Sequence, residues 1–171
     1  MKDTETKLYC LDTNFFIEAW NKYYCPDFCY EYWDIIDELG KSNRIFISRM
    51  VKEEIEKTDD QLSQWLKASS IPIRDITEKV QKCLKEIFNF DERHRRLVDD
   101  IKGRSIADPW VIAHAIDEMA TVVTKEGKNA DPTSSRIRIP NVCENMRVRC
   151  IDDFKFIKEV GIQFSCKFKS I

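Results

Sequence analysis

Glycine is scarce in this sequence, with 4 residues in 171, and so is proline, with 5. That scarcity excludes collagen-like and low-complexity chains. No GxxxxGK[ST] or GxGxxG run occurs, which removes the common glycine loops that cradle nucleotide phosphates. Long apolar runs are also missing: nothing approaches the roughly 18 uninterrupted apolar residues that a membrane-spanning helix needs. The opening MKDTETKLYC carries charge where a signal peptide would place its apolar stretch, so the expectation is a cytoplasmic protein with no membrane association. Neither sign of charge dominates, since 28 Lys and Arg against 30 Asp and Glu leave a net of -2. Wholesale binding to nucleic acid through a bulk positive field is therefore excluded, while a local basic track is not. The 7 cysteines are odd in number and lack the short paired spacings of zinc sites, so they read as reduced thiols rather than a disulfide framework.

What is present is a globular composition, 43% apolar and 34% charged with the signs interspersed. The length suits one domain, 1–171, around a single core. Residues 7–12, KLYCLD, form a short apolar run ending abruptly in Asp12-Thr13-Asn14, the pattern of a buried strand that delivers polar groups to a sheet edge. Phe15, Phe16, Ile17, Ala19 and Trp20 then give a helical face that Cys25-Pro26-Asp27 interrupts. Tyr32, Trp33, Ile35, Ile36 and Leu39 recur at helical spacing up to Gly40, where a helix is expected to stop. RIFIS, residues 44–48, predicts a second strand, with Ser48 capping the helix of Met50, Val51 and Ile55. Between Thr58 and Phe90 the pattern gives helix, a short extended segment over 71–76, and helix. A charge-dense stretch, 91–102, and Gly103 precede a helix from Asp108 to Ala120.

TVVT, residues 121–124, is a β-branched run typical of a packed strand. The Gly-, Asn-, Asp-, Pro- and Ser-rich residues 127–136 predict a loop, and RVRCI, 147–151, a further strand. Phe154 to Val160 reads as a last helix closed by Gly161. Beyond it Ile162, Phe164, Cys166 and Phe168 alternate with polar residues, which predicts an edge strand. Strands alternating with helices imply an α/β fold, three layers α/β/α around a mainly parallel sheet. In such sheets ligands sit beyond the carboxyl ends of the strands, so the polar residues there are the functional candidates.

Four chain segments place an acid near that edge: Asp12, the Glu53-Glu54 pair, Asp108 and Glu126. Each has a structural role to fill instead, since Asp12 and Asp108 can cap helices, Glu53 and Glu54 can sit on a solvated face, and Glu126 can belong to a turn. If the strand order brings these acids together, their repulsion calls for a divalent cation. Hard oxygen donors without Cys or His spacing favour magnesium or manganese over zinc.

LDTNFFIE, SRMVKEEIEK, ADPWVIAHA and TVVTKE, in that order, resemble the acidic motifs of PIN-domain ribonucleases, the fold of many toxin/antitoxin nucleases. The resemblance, strengthened by IPNVC further on, covers nearly the whole chain. It implies Asp12, Glu54 and Asp108 as metal ligands and catalytic acids, with Glu126 standing where many members have Asp, and with Asn14 and Thr124 orienting the site. It also implies Mg2+ or Mn2+ as cofactor, and RNA hydrolysis by a metal-activated water that leaves a 5′-phosphate and a 3′-hydroxyl. The implied partners are RNA, an antitoxin protein and a second copy of the chain, the last through apolar helices near residues 15–36.

An acidic cleft needs flanking cations to hold phosphates. Lys125, Lys128, Arg136 and Arg138, extended by Arg147 and Arg149, are the candidate RNA contacts, and Arg93, Arg95 and Arg96 a second set; a solvated surface is the competing reading of each. Tyr23, Tyr24 and Trp110 are candidates for base stacking or for core packing. His114, in VIAHAI, reads as a packed, hydrogen-bonded histidine, and His94, in DERHRR, as exposed. Two alternatives remain: an aspartyl-phosphate enzyme, disfavoured because position 14 is Asn, and a catalytically inactive PIN-like scaffold or RNA-binding module.

Overall fold

The computed structural model describes residues 7–98, 106–131 and 136–166. The separator Gly103, the middle of the loop expected over 127–136, and Phe168 at the end of the tail pattern lie outside them. Five strands form one sheet: β1 (Tyr9–Leu11), β2 (Ile45–Ser48), β3 (Ile73–Arg74), β4 (Thr121–Val123) and β5 (Cys150–Ile151). Their order is β3-β2-β1-β4-β5, and every pairing is parallel. The flanking helices are α1 (Thr13–Glu18), α2 (Pro26–Lys41), α3 (Arg49–Glu56), α4 (Gln61–Ala68), α5 (Glu78–Phe90), α6 (Asp108–Asp117), α7 (Ile139–Asn145) and α8 (Asp153–Val160). The expected α/β architecture is met, and the extended segment over 71–76 becomes the edge strand β3.

β1, β2 and β4 consist of buried residues only, as strands covered on both faces must. The connections step from β1 through β2 to β3 on one side and return to β4 and β5 on the other, so the direction of winding reverses at β1. The crevice between the carboxyl ends of β1 and β4 is thus the place where an open α/β sheet leaves room for a ligand. The core around these strands is aromatic. Tyr9 meets Phe156 edge-on at 5.1 Å and Phe15 meets Phe156 at 5.5 Å, while Trp33 packs against Trp20 at 4.6 Å and Trp65 at 4.8 Å.

Between α1 and α2 the chain winds as a π-helix, Ala19–Tyr23, closed by the Tyr24 N–H donating to the Ala19 carbonyl at 2.8 Å. The Trp33 indole N–H donates to the Tyr24 carbonyl at 2.6 Å and fixes the end of that turn. Widened turns of this kind are frequent at functional sites. Ser48 caps α3 as expected, its Oγ accepting from the Val51 N–H at 3.2 Å.

Several elements differ from the sequence reading. The tail residues 162–166 form no strand; Phe164 instead stacks on Tyr24 at 5.3 Å and on Tyr32 at 6.1 Å, so its alternation serves aromatic packing rather than a ladder. The last strand is limited to Cys150–Ile151 because Arg147 adopts φ 56°, a left-handed conformation that a strand cannot include. α7 was not read from sequence, although Pro140 in its first turn marks a helix start. Gly40 lies inside α2 rather than beyond it, and its hydrogen faces the chain leading into β3: a Cβ there would fall 2.8 Å from the Ile71 Cα.

His94 is fully buried, not exposed. It sits in a 3-10 segment, Glu92–Leu97, where residues three apart share a face, so His94 and Leu97 turn inward together while the arginines point out. Its Nδ1–H donates to the Ile87 carbonyl at 2.7 Å, and Nε2 accepts from the Asn145 amide at 2.9 Å.

Candidate active site

Asp12 follows β1 directly, and its backbone N–H still donates to the Val123 carbonyl at 3.0 Å, which keeps it in step with the end of β4. The side chain is completely buried. Oδ1 caps α1 by accepting from the Thr13 N–H at 2.7 Å, and Oδ2 accepts from the Thr124 hydroxyl at 2.8 Å. The capping role and a place in the acidic site are therefore compatible. Burial pushes the Asp12 carboxyl up to about 7, and the nearby Glu126 and Glu54 carboxylates add to it, against the lowering effect of the Thr124 and Thr13 hydrogen bonds. Among the described residues, no lysine or arginine forms an ion pair with Asp12, Glu54 or Glu126.

Of the two adjacent glutamates on α3, Glu53 is exposed and Glu54 turns inward. Glu54 accepts from the Thr13 hydroxyl at 2.7 Å through Oε2 and from the Ala107 N–H at 3.2 Å through Oε1. One carboxylate thus ties the residue after Asp12 to the residue before Asp108. Asp108 itself is 4% exposed, and the cap position of α6 belongs to Ala107, with Asp108 in the first turn and Pro109 beside it. Because α6 runs down to the start of β4, its first turn stands at the carboxyl edge of the sheet. Glu126 accepts from the Ile139 N–H, at the start of α7, at 2.9 Å, and its own N–H donates to the Thr124 hydroxyl at 3.1 Å. Thr124 is in this way a hinge between Asp12 and Glu126.

Thr13 was missed as a site residue, though it stands inside LDTN; its hydroxyl is the link between the first and second acidic segments. Asn14, Glu18, Tyr23, Lys125 and Glu126 line an open cleft of 330 Å³ beside these acids. Glu18 is a further acid there, paired with Lys22 at 2.8 Å. The donors on offer are carboxylate and hydroxyl oxygens, which suit a hard divalent cation and not zinc. Among the described residues no three Asp, Glu, His or Cys side chains stand close enough to form a closed metal cage.

The basic candidates separate into two regions. Lys125 follows β4, but its ammonium is bound to the buried Asp153 at 2.8 Å and lies over the rings of Tyr23, at 4.0 Å, and Phe154, at 4.9 Å. Lys128 pairs with Glu144 at 2.6 Å, and the Arg138 guanidinium donates to the Gly127 carbonyl at 3.3 Å. Arg136 and Lys128 share a separate 280 Å³ cleft with Arg93, whose guanidinium pairs with Asp91. Arg149 lies at the opposite edge of the sheet, where it bonds Thr121 at the start of β4 and pairs with Glu159. Arg147 and Arg149 precede β5, so the amino ends of parallel strands carry them away from the acids and they do not extend the track.

His114 is packed, 1% exposed, with no hydrogen-bond partner at Nε2 among the described residues, and burial lowers its pKa. Its packing is as expected from sequence. All seven cysteines are free thiols.

The family model that matches the chain is DUF4411, a domain of unknown function, and the match runs over residues 9–164. The chain belongs to this family. Among curated proteins none matches. A solved structure that resembles this DUF4411 chain is a crystal structure of VapBC2 from Rickettsia felis bound to a DNA fragment from their promoter. The similarity has a TM-score of 0.55 and 23% identity, over 85% of this chain and 98% of that one. At that identity the likeness carries the fold, a PIN-like sheet flanked by helices. No helix among the described residues is long and apolar enough to cross a membrane.

Proposed function

We propose that this DUF4411 chain is a divalent-metal-dependent endoribonuclease, with Asp12, Glu54, Asp108 and Glu126 as its acidic centre and Mg2+ or Mn2+ as its cofactor. The observation that carries this reading is Asp12. A carboxyl wholly removed from water, at the switch point of the sheet, with no cationic side chain among the described residues paired to it and two further acids raising its proton affinity, is an expensive arrangement for a purely structural cap. A bound divalent cation supplies Lewis acidity toward a phosphodiester and acidifies an attacking water. Asp12 and Asp108 would hold the cation. Thr124 and Thr13 keep the Asp12 carboxylate in one orientation, and Glu54 fixes the spacing between the α1 and α6 ends. Glu126, held by the Ile139 N–H, limits the cleft on its β4 side.

The PIN-like fold of the VapBC2 complex supports a role as the nuclease of a toxin/antitoxin pair, with an antitoxin protein as partner. Apolar side chains along α1 and α2, including Ile17, Phe28 and Tyr30, are exposed and suit a protein partner or a second copy. The test is a labelled-RNA digest with manganese, magnesium or chelator beside Asp12→Asn. Cleavage that requires the cation and is lost in the variant supports the reading; cleavage that survives chelation or the substitution removes it. The second reading, a PIN-like RNA-binding scaffold without cleavage, is favoured by the hydrogen bonds that already occupy Glu54 and Glu126. RNA binding without manganese binding or cleavage under any divalent ion would establish it.

A further inference from the structure

We propose that Tyr23 is the stacking platform for one unpaired base of a single-stranded RNA entering the acid cleft, and that Lys125 is its positioning residue rather than a phosphate contact. This rests on the nuclease reading of the cleft.

Of the three aromatic residues suited by sequence to base stacking, two are occupied. Tyr24 lies between Tyr32, at 4.4 Å, and Phe164, at 5.3 Å, and Trp110 is half-buried against the core. Tyr23 is 48% exposed and lines the cleft together with Asn14 and Glu126. Within the π-helical turn Trp20 packs toward Trp33 and Trp65, and Tyr23 lies on the cleft side.

Tyr24 stands beside the Tyr23 ring, tilted by 48° with the centroids 6.4 Å apart. The Lys125 ammonium lies 4.0 Å from the Tyr23 centroid, and Lys125 is itself fixed by the 2.8 Å bond to Asp153. The Lys125 side chain is only 13% exposed and that of Asp153 4%, so the lysine charge is committed within the protein. A cation over an aromatic face is attracted by the ring quadrupole and orients the ring, and the 48% exposure of Tyr23 leaves ring surface at the cleft, the face assigned to a second planar group. An RNA base suits that face because every base presents a π surface, and only an unpaired base can be splayed onto it.

The experiment measures binding and cleavage separately. Binding of a fluorescent single-stranded RNA decamer is titrated in the Asp12→Asn background, which prevents cutting, alone and combined with Tyr23→Ala, Tyr23→Phe or Lys125→Met. The expected result is a Kd about 10-fold weaker with Tyr23→Ala, within about twofold with Tyr23→Phe, and weak binding of the matching duplex. Single abasic sites are then moved along the RNA. One position should weaken binding by a similar factor with Tyr23 present and have no effect once Tyr23 is Ala, which a merely structural tyrosine would not produce. Lys125→Met and the parent should show the same slope of log Kd against log salt, whereas removal of a lysine that contacts phosphate would lower that slope by about one.

Equal Kd values for Tyr23→Ala and the parent, unchanged abasic sensitivity, equal duplex binding, or no measurable single-strand binding would each overturn the platform. Manganese-dependent cleavage by the chain with Asp12 intact is scored in parallel. Its absence removes the nuclease reading, while the binding series still decides the platform.

Discussion

Asp12 meets two opposed demands. Its cap to Thr13 and its bond from Thr124 favour the carboxylate, while complete burial and the neighbouring Glu126 and Glu54 favour the acid, and burial wins, with the group at about 7. The consequence for stability has a definite sign. Below the ordinary value of 3.8 both folded and unfolded chains hold the proton; between 3.8 and about 7 only the folded chain does. In chelator, stability should therefore fall as pH rises through that window and level off above it. Urea unfolding of the parent and Asp12→Asn from pH 4 to 8 checks this, with the variant showing a flatter profile. Thr124→Val removes the hydroxyl that favours the ionised form, so the levelling point should move to higher pH. The residue scale was partly legible in sequence. LDTN and ADPW marked Asp12 and Asp108, but the choice of Glu54 over Glu53 depends on which side of α3 faces Thr13 and Ala107. Thr13 itself carried no signal beyond its place in LDTN.

At the scale of elements, the contacts that hold α2 and α8 to the sheet give two further tests. Gly40 lets the last turn of α2 approach the chain entering β3, and a methyl there would meet the Ile71 backbone, which cannot yield as a flexible side chain would. Gly40→Ala should destabilise by about 1–3 kcal/mol in thermal or urea unfolding, although alanine is the better helix former. Glu159 on α8 accepts from Arg149 and from the Tyr9 hydroxyl, and the Arg149 guanidinium holds its carboxyl down at about 2 against an ordinary 4.5. Its contribution is present above the ordinary value and is lost as pH falls from 4.5 toward 2. Glu159→Gln should accordingly cost stability at neutral pH and make little difference near pH 2. Strand and helix periodicity located nearly every element, because burial on one or both faces writes itself into apolar spacing. It failed where that link breaks: the 3-10 turn of His94 follows a period of three, and the alternating tail around Phe164 stacks its half-exposed ring on other aromatics without any strand.

At the scale of the whole molecule, cation binding should be coupled to folding. Manganese that engages the acidic centre of the folded chain and not the unfolded one raises the melting temperature by mass action. Differential scanning fluorimetry should show a manganese-dependent rise for the parent and none for Asp12→Asn, and equal shifts in both would place the cation elsewhere. The sequence by itself determined the α/β class, the central strands and the order in which acids follow them, since these depend on local periodicity and on residues adjacent to strand ends. Only the tertiary structure decided that β1 lies between β2 and β4, and this is what brings Asp12 to Thr124 and Glu126 while sending Arg147 and Arg149 to the far edge. Strand order is set by how helices pack across the faces of the sheet, a property of contacts between segments distant in the chain, which no local spacing encodes.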